Sequence, residues 1–152
     1  MAIVSAICNS FKEEILQGGH CLNASGSTAA GNTIKLALYS SNSATLSKST
    51  TVYAAPADAT ADPTSTYEVT TTGSGYTSGG NALTNTGIAK STVTSYTDFS
   101  DTSWTSASFT ARGCLIYNSS TISGLTTNAA VCSIDFGGDK TVTSGTFTIE
   151  FP

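Results

Sequence analysis

Charge is scarce in this chain. Only 11% of its 152 residues are Asp, Glu, Lys or Arg, against about 25% in an ordinary soluble domain. The six cations, Lys12, Lys35, Lys48, Lys90, Arg112 and Lys140, are scattered, and the net charge is −4. A nucleic-acid binder needs a clustered basic footprint to neutralise phosphates, so that class is excluded as an expectation. No apolar stretch approaches the roughly 18 residues needed to span a bilayer, so no membrane partner is expected. The start, Met1-Ala2-Ile3-Val4-Ser5-Ala6-Ile7-Cys8, lacks a positive n-region, and its apolar run is too short for a signal peptide. Synthesis and assembly in a cytoplasm are expected. Histidine and tryptophan occur once each and proline three times. No C-x-x-C pair, no Gly-x-Ser-x-Gly elbow and no P-loop lysine is present, which removes the commonest zinc, hydrolase and phosphate-binding signatures.

What is abundant is hydroxyl. Serine and threonine make up about a third of the chain, and threonine, β-branched and polar, suits the solvent face of a strand. The dominant pattern has period two. Ile34, Leu36 and Leu38 share one phase of Ile34–Tyr39. Ser106–Ala111 alternates, and Cys114–Tyr117 is a short buried run. Cys132, Ile134 and Phe136 point inward, as do Phe147, Ile149 and Phe151. Gly137-Gly138-Asp139 reads as a tight hairpin and Ser144-Gly145 as a bulge or kink. One helix is legible at about residues 10–17: Ser10 and Glu13 have capping-box spacing, Phe11, Ile15 and Leu16 form an apolar face, and Gly18-Gly19 is the stop. Residues 54–66, with two of the three prolines and few core formers, read as an exposed loop or arm. The expected fold is a single all-β domain over residues 1–152, an antiparallel β-sandwich or jelly-roll-like barrel with one short N-terminal helix.

Candidate chemistry is thin. His20 would need a nucleophile and an orienting carboxylate to act as a base; a helix-end histidine bonding the last carbonyls is the alternative. Asp98 and Asp101 are the closest acid pair in a strand-like region, and a glycosidase needs two facing carboxylates. Asp135 and Asp139 flank the glycine pair and could hold Ca²⁺, or simply stabilise a turn. Gly73–Gly80 is glycine-rich but lacks the lysine of a phosphate loop. Asn23-Ala24-Ser25 and Asn118-Ser119-Ser120 are formal glycosylation sequons, which matter only on a secretory route. Trp104 is the candidate ligand-contact aromatic if exposed, and a core residue otherwise. The four cysteines, Cys8, Cys21, Cys114 and Cys132, read as buried thiols, with a Cys114–Cys132 or a Cys8–Cys21 disulfide left open. No catalytic residue, cofactor or metal is assigned.

Two segments carry a resemblance. Phe109-Thr110-Ala111-Arg112-Gly113-Cys114-Leu115-Ile116-Tyr117-Asn118 is the first, and the closing Ile134–Lys140 with Gly145–Pro152 is the second. Both resemble small virion structural proteins of tailed bacteriophages; Phe11–Leu16 and Ile34–Tyr39 fit the same pattern. The likeness covers most of the chain outside residues 40–95 and contains no catalytic signature. It implies a virion protein assembled in the host cytoplasm, non-enzymatic, with a capsid decoration (cement) role first. Such a protein is expected to bind the major capsid protein and to associate as a homotrimer. A tail or head-fibre module binding host carbohydrate is the alternative, and a small glycan hydrolase a third. The contact candidates are Ile3, Val4 and Ile7 at the start and Phe151 and Pro152 at the end, each equally open to ordinary core packing.

Overall fold

A computed structural model describes residues 3–23, 31–40, 45–54 and 67–152. Residues 55–66, nearly all of the expected arm, lie outside the described residues, as do Ala24 and Ser25 of the first sequon. The fold is all-β and sandwich-like with one short helix. In chain order the elements are β1 (Ala6–Ile7), α1 (Asn9–Leu16), β2 (Ile34–Tyr39), β3 (Asn81–Ala82), β4 (Asn85–Ser91), β5 (Thr94–Phe99), β6 (Thr102–Asn118) and β7 (Ala129–Ile149). Five strands form an antiparallel sheet in the order β1-β7-β6-β2-β3, and β4 and β5 pair only with each other.

The long β6–β7 pair organises the molecule. The separate strands expected at 106–111 and 114–117 are one strand, and so are those at 131–136 and 146–151. The pairing is broken by bulges: Ala111 faces Lys140 but Gly113 faces Asp135. Gly137-Gly138 is therefore not a hairpin, which corrects the sequence reading. β6 continues past it as a partner, so the extra residues bulge out of β7 without reversing it. Gly137 sits at φ 72°, a conformation glycine adopts at little cost. Asp135 stitches the bulge, accepting from the Gly137 N–H at 3.0 Å. The expected irregularity at Ser144-Gly145 is present, with Ser144 at φ 47° and an opposing bulge at Ser106, φ 52°.

Bulges bend and twist a ribbon, and side chains from both halves of this one meet in a single apolar cluster. Ile34, Leu36, Leu38, Cys114 and Ile116 join Trp104, Phe109, Val69 and Tyr76 there. A second cluster on the other face gathers Ile3, Cys8, Phe11, Tyr39, Leu46, Tyr53, Leu115 and Tyr117. The period-two phase read for β2 thus divides its side chains between two cores.

The helix starts one residue earlier than expected, and its cap differs. Cys8 is the N-cap, but its side chain makes no capping hydrogen bond; its thiol donates instead to Ser47 O at 3.8 Å, and the Ser10 hydroxyl is buried without a partner. The capping box does not form. The buried face is Phe11 and Glu14, while Ile15 is exposed and Leu16 is 89% exposed. The stop is as read: Gly18 N–H bonds Ile15 O at 3.2 Å and Gly19 N–H bonds Glu14 O at 2.8 Å, the paired closure of a Schellman end.

Candidate functional site

The most elaborate polar cluster surrounds Glu68, which sequence reading did not single out. The segment at Tyr67–Val69 runs along the free edge of β2: Glu68 bridges Tyr39, and Val69 N–H bonds Leu38 O at 2.9 Å. Farther down that edge β3 takes over at Leu36. Between them the Leu38 N–H donates to the Tyr76 hydroxyl at 3.0 Å, and that hydroxyl donates to Glu68 Oε1 at 2.7 Å. A side chain thus replaces a missing stretch of strand. Gly79 N–H also donates to Oε1, at 2.6 Å. Oε2 accepts from the Tyr53 hydroxyl at 2.9 Å and from Ser78 Oγ at 3.1 Å. Tyr117 stacks on Tyr53 at 4.3 Å and donates to Gly79 O at 2.9 Å. The loop can lie this close because residue 80 is glycine: φ is 67°, and a Cβ there would run into the Leu36 carbonyl.

A carboxylate offers about four lone-pair sites, and four donors fill those of Glu68. Burial holds the Tyr76 hydroxyl far above the ordinary tyrosine range, and the neighbouring Glu68 charge adds to it. Burial likewise raises Tyr53. Saturated acceptors and firmly protonated hydroxyls make a staple; they leave no group free to move a proton to a substrate.

His20 belongs to a second buried network. Its Nε2 lies 2.7 Å from Glu14 Oε2, with side-chain exposures of 0% and 12%. Asn118 Nδ2 lies 2.9 Å from His20 Nδ1 and donates to Asn32 Oδ1 at 3.0 Å. Two backbone donors fix the amides: Ser120 N–H bonds Asn118 Oδ1 and Cys21 N–H bonds Asn32 Oδ1. Asn118 must therefore present its NH₂ to the ring, so Nδ1 accepts and Nε2–H donates to Glu14. Phe11 covers the ring at a centroid distance of 4.8 Å. The expectation that His20 bonds the last helix carbonyls is corrected. Gly18 and Gly19 take those carbonyls, and the histidine takes the buried carboxylate of the same helix. Both ring nitrogens are engaged.

The acid pairs resolve into local ties. Asp101 accepts from the Phe151 N–H at 3.0 Å and Asp98 from the Phe99 N–H at 2.8 Å. Asp135 is bonded by Arg112 Nε at 3.2 Å, and the Arg112 guanidinium reaches Asp139 at 3.9 Å. An arginine thus sits where the Ca²⁺ reading would put the ion, and no cluster of metal-ligating side chains occurs among the described residues. Trp104 is 4% exposed, packed near Tyr76 and Phe147. It is core, and the ligand-contact reading for it is corrected.

Cys8, Cys114 and Cys132 are thiols. Cys114 faces Ile134 and Cys132 faces Ile116, so the two are diagonal, about 7–8 Å apart at such positions, too far to bond without backbone movement. Burial pushes Cys8 up to about 11 and Cys132 up to about 12, which keeps both unreactive at neutral pH.

The contact candidates separate. Ile3 is 2% exposed, inside the second core cluster; offering it as a contact residue is corrected. Val4 and Ile7 are 52% and 53% exposed. Phe151 is half-buried and Pro152 exposed. Both line a hollow of about 550 Å³ whose wall includes Ile134, Phe136, Phe147 and Ile149. Ile7 and Phe151 also line a second hollow of about 250 Å³. The inward-phase residues of β7 are thus only partly covered, and the first core is open along this side. Alternation along β7 marks which side chains share the face; how far it is covered depends on the bend.

The chain matches no family model, no curated protein and no solved structure.

Proposed function

We propose that this chain is a structural protein of a bacteriophage virion, a capsid decoration protein that binds the major capsid protein as a homotrimer and stabilises the shell by covered area. It performs no catalysis in this reading. The observation that carries it is where the large apolar side chains stand. Val4 beside β1, Ile7 on β1, and Ile15 and Leu16 on α1 all face outward on consecutive elements. A monomer gains nothing by exposing Leu16 while burying Glu14 in the same helix. A subunit that docks this edge on a neighbour gains about 25 cal/mol per Å² of apolar surface covered. Sparse charge helps, because little ionic surface must be desolvated on docking.

The resemblance of Phe109–Asn118 and the C-terminal segment to virion proteins points the same way. So does the engagement of Glu68, His20, Asp101 and Asp135 in internal ties. The test is addition of the purified chain to expanded empty capsids. It should co-sediment with them and raise their melting temperature, and Ile7→Asp with Leu16→Asp should abolish both effects. Failure to bind capsids, with binding to host cells or glycans instead, makes it a fibre module. Turnover of a glycan polymer makes it an enzyme.

A further inference from the structure

We propose that His20, Asn118 and Asn32 form an acid-sensitive latch: a proton taken up at His20 Nδ1 turns both amides and frees the segments that they clamp together. Four segments meet here. His20 holds α1 through Glu14, and Asn118, fully buried, stands at the end of β6. Asn32 and Cys21 clasp each other: Asn32 N–H bonds Cys21 O at 2.8 Å, and Cys21 N–H bonds Asn32 Oδ1 at 2.7 Å. Thr33 is tied to the segment after β6. Its N–H bonds Ser120 Oγ at 2.8 Å, and its carbonyl accepts from the Ser119 N–H at 2.9 Å. The His20 ring sits at the centre, shielded from water.

The donors and acceptors match one protonation state. With Nδ1 bare, the ring accepts from Asn118, Asn118 Oδ1 accepts from Ser120, and Asn32 Oδ1 accepts from both Asn118 and Cys21. The imidazolium donates at both nitrogens. Glu14 takes the Nε2–H in either state, so the contact with α1 survives. The new Nδ1–H faces the Asn118 NH₂. Asn118 can answer only by turning its oxygen to the ring, which sets its NH₂ against the Ser120 N–H and its oxygen against Asn32 Oδ1. Asn32 must then turn as well, and its NH₂ meets the Cys21 N–H. Two backbone donors are left without acceptors, each weakening the closed arrangement by about tenfold. Relief comes when residues 20–21 part from Asn32 and from 118–120, and water reaches the ring. Little else near the ring titrates. Glu14 is the one charged group within ion-pair distance among the described residues. Burial keeps the Cys8 thiol, near Glu14, protonated. Cys21 follows His20 in the chain, and Asn118, Asn32, Ser120 and Phe11, which line the other sides, are neutral.

The latch belongs to the chain alone and does not rest on the proposed function. The test is nuclear magnetic resonance of the purified chain from pH 8 to pH 4.5. His20 is the sole histidine, so its ring nitrogens read out without ambiguity. At pH 8 the proton should sit on Nε2. As Nδ1 takes up its proton, the Cys21 and Ser120 amides should lose at least about tenfold of their exchange protection, after correction for the intrinsic rate. The Gly19 amide, bonded to Glu14 O, should keep its protection. Asn118→Asp gives the imidazolium an acceptor while still serving Ser120, so Ser120 should stay protected throughout. His20→Gln, which has no ring to titrate, should remove the step, and it carries the test if Asn118→Asp does not fold. A proton on Nδ1 at pH 8 overturns the proposal. So does protonation of His20 with both amides still protected, a ring that stays neutral to pH 4.5 in the folded chain, or a step that persists in His20→Gln.

Discussion

Removing the Glu68 carboxylate is the sharpest test of what holds the loop at 67–80 to the sheet. Glu68→Ala leaves four donors facing a void. The Ser78 and Tyr53 hydroxyls can rotate toward each other, since they stand 3.2 Å apart. The Gly79 N–H cannot rotate, and the Tyr76 hydroxyl loses its acceptor while still receiving the Leu38 N–H. Two stranded buried donors at about 1–3 kcal/mol each put the variant about 4 kcal/mol below the parent. In a chain of this length each kcal/mol moves Tm by about 2–4 °C, so the expected drop is about 8–16 °C. Glu68→Gln keeps the shape: its amide oxygen retains Tyr76 and Gly79, and its NH₂ meets two hydroxyls able to accept. Only charge assistance is lost, about 1.5 kcal/mol and about 3–6 °C. Scanning calorimetry of the three proteins settles it. If the two variants melt together, or both within about 2 °C of the parent, the carboxylate is not the staple.

Three further outcomes are expected. The folded state holds the Cys8 and Cys132 protons up to about 11 and about 12, burial being the main cause. The unfolded chain releases them near 9, so this stability is present below pH 9 and lost as pH rises through those values; Tm measured from pH 8 to 11 should fall over that window, less steeply in Cys8→Ala, and a flat profile would contradict it. Trp104→Ala opens the first core and should cost about 3–5 kcal/mol in urea, whereas Trp104→Phe keeps most of the ring and also removes the partnerless indole N–H, and should cost clearly less; equal losses would contradict the cavity account. Gly80→Ala drives a Cβ into the Leu36 carbonyl and should cost about 3 kcal/mol or more, while Gly73→Ala, at a similar positive φ with open space around it, should cost only the backbone strain of about 1–2 kcal/mol.

Strand periodicity was the legible layer. Alternation placed β2 to the residue, because Ile34, Leu36 and Leu38 face one core throughout. Features whose partners lie outside their own element were not legible. Glu14 is buried because His20 answers it from beyond the helix stop, so the helix turns Phe11 and Glu14 inward and leaves Leu16 in solvent, against its own apolar stripe. Gly137-Gly138 fits a hairpin and a bulge equally well; the continuing β6 decides between them. The β4–β5 ribbon escaped notice because its turn is Thr92-Val93, with Thr92 at φ 51°, and carries none of the glycine or asparagine that marks such turns. Glu68 looks like an ordinary acid in a threonine-rich stretch, since its donors come from Tyr53, Tyr76, Ser78 and the Gly79 backbone.

An open core on a chain so poor in charge makes a distinct demand on its assembly. The half-covered Phe136, Phe147, Ile149 and Phe151 contribute in full only when a neighbour excludes the remaining water, and that gain is apolar in origin. Excluded salts such as sulfate strengthen apolar burial, while sodium chloride screens exposed charges over a Debye length of about 8 Å at physiological ionic strength. A chain with only 11% charged residues therefore predicts a shallow weakening of self-association with sodium chloride and a clear strengthening with ammonium sulfate at equal ionic strength. Sedimentation equilibrium across the two salt series reads both slopes. A steep loss in sodium chloride with no recovery in sulfate would mean that ionic contacts hold the copies together, and that the aromatic hollow is not where they meet.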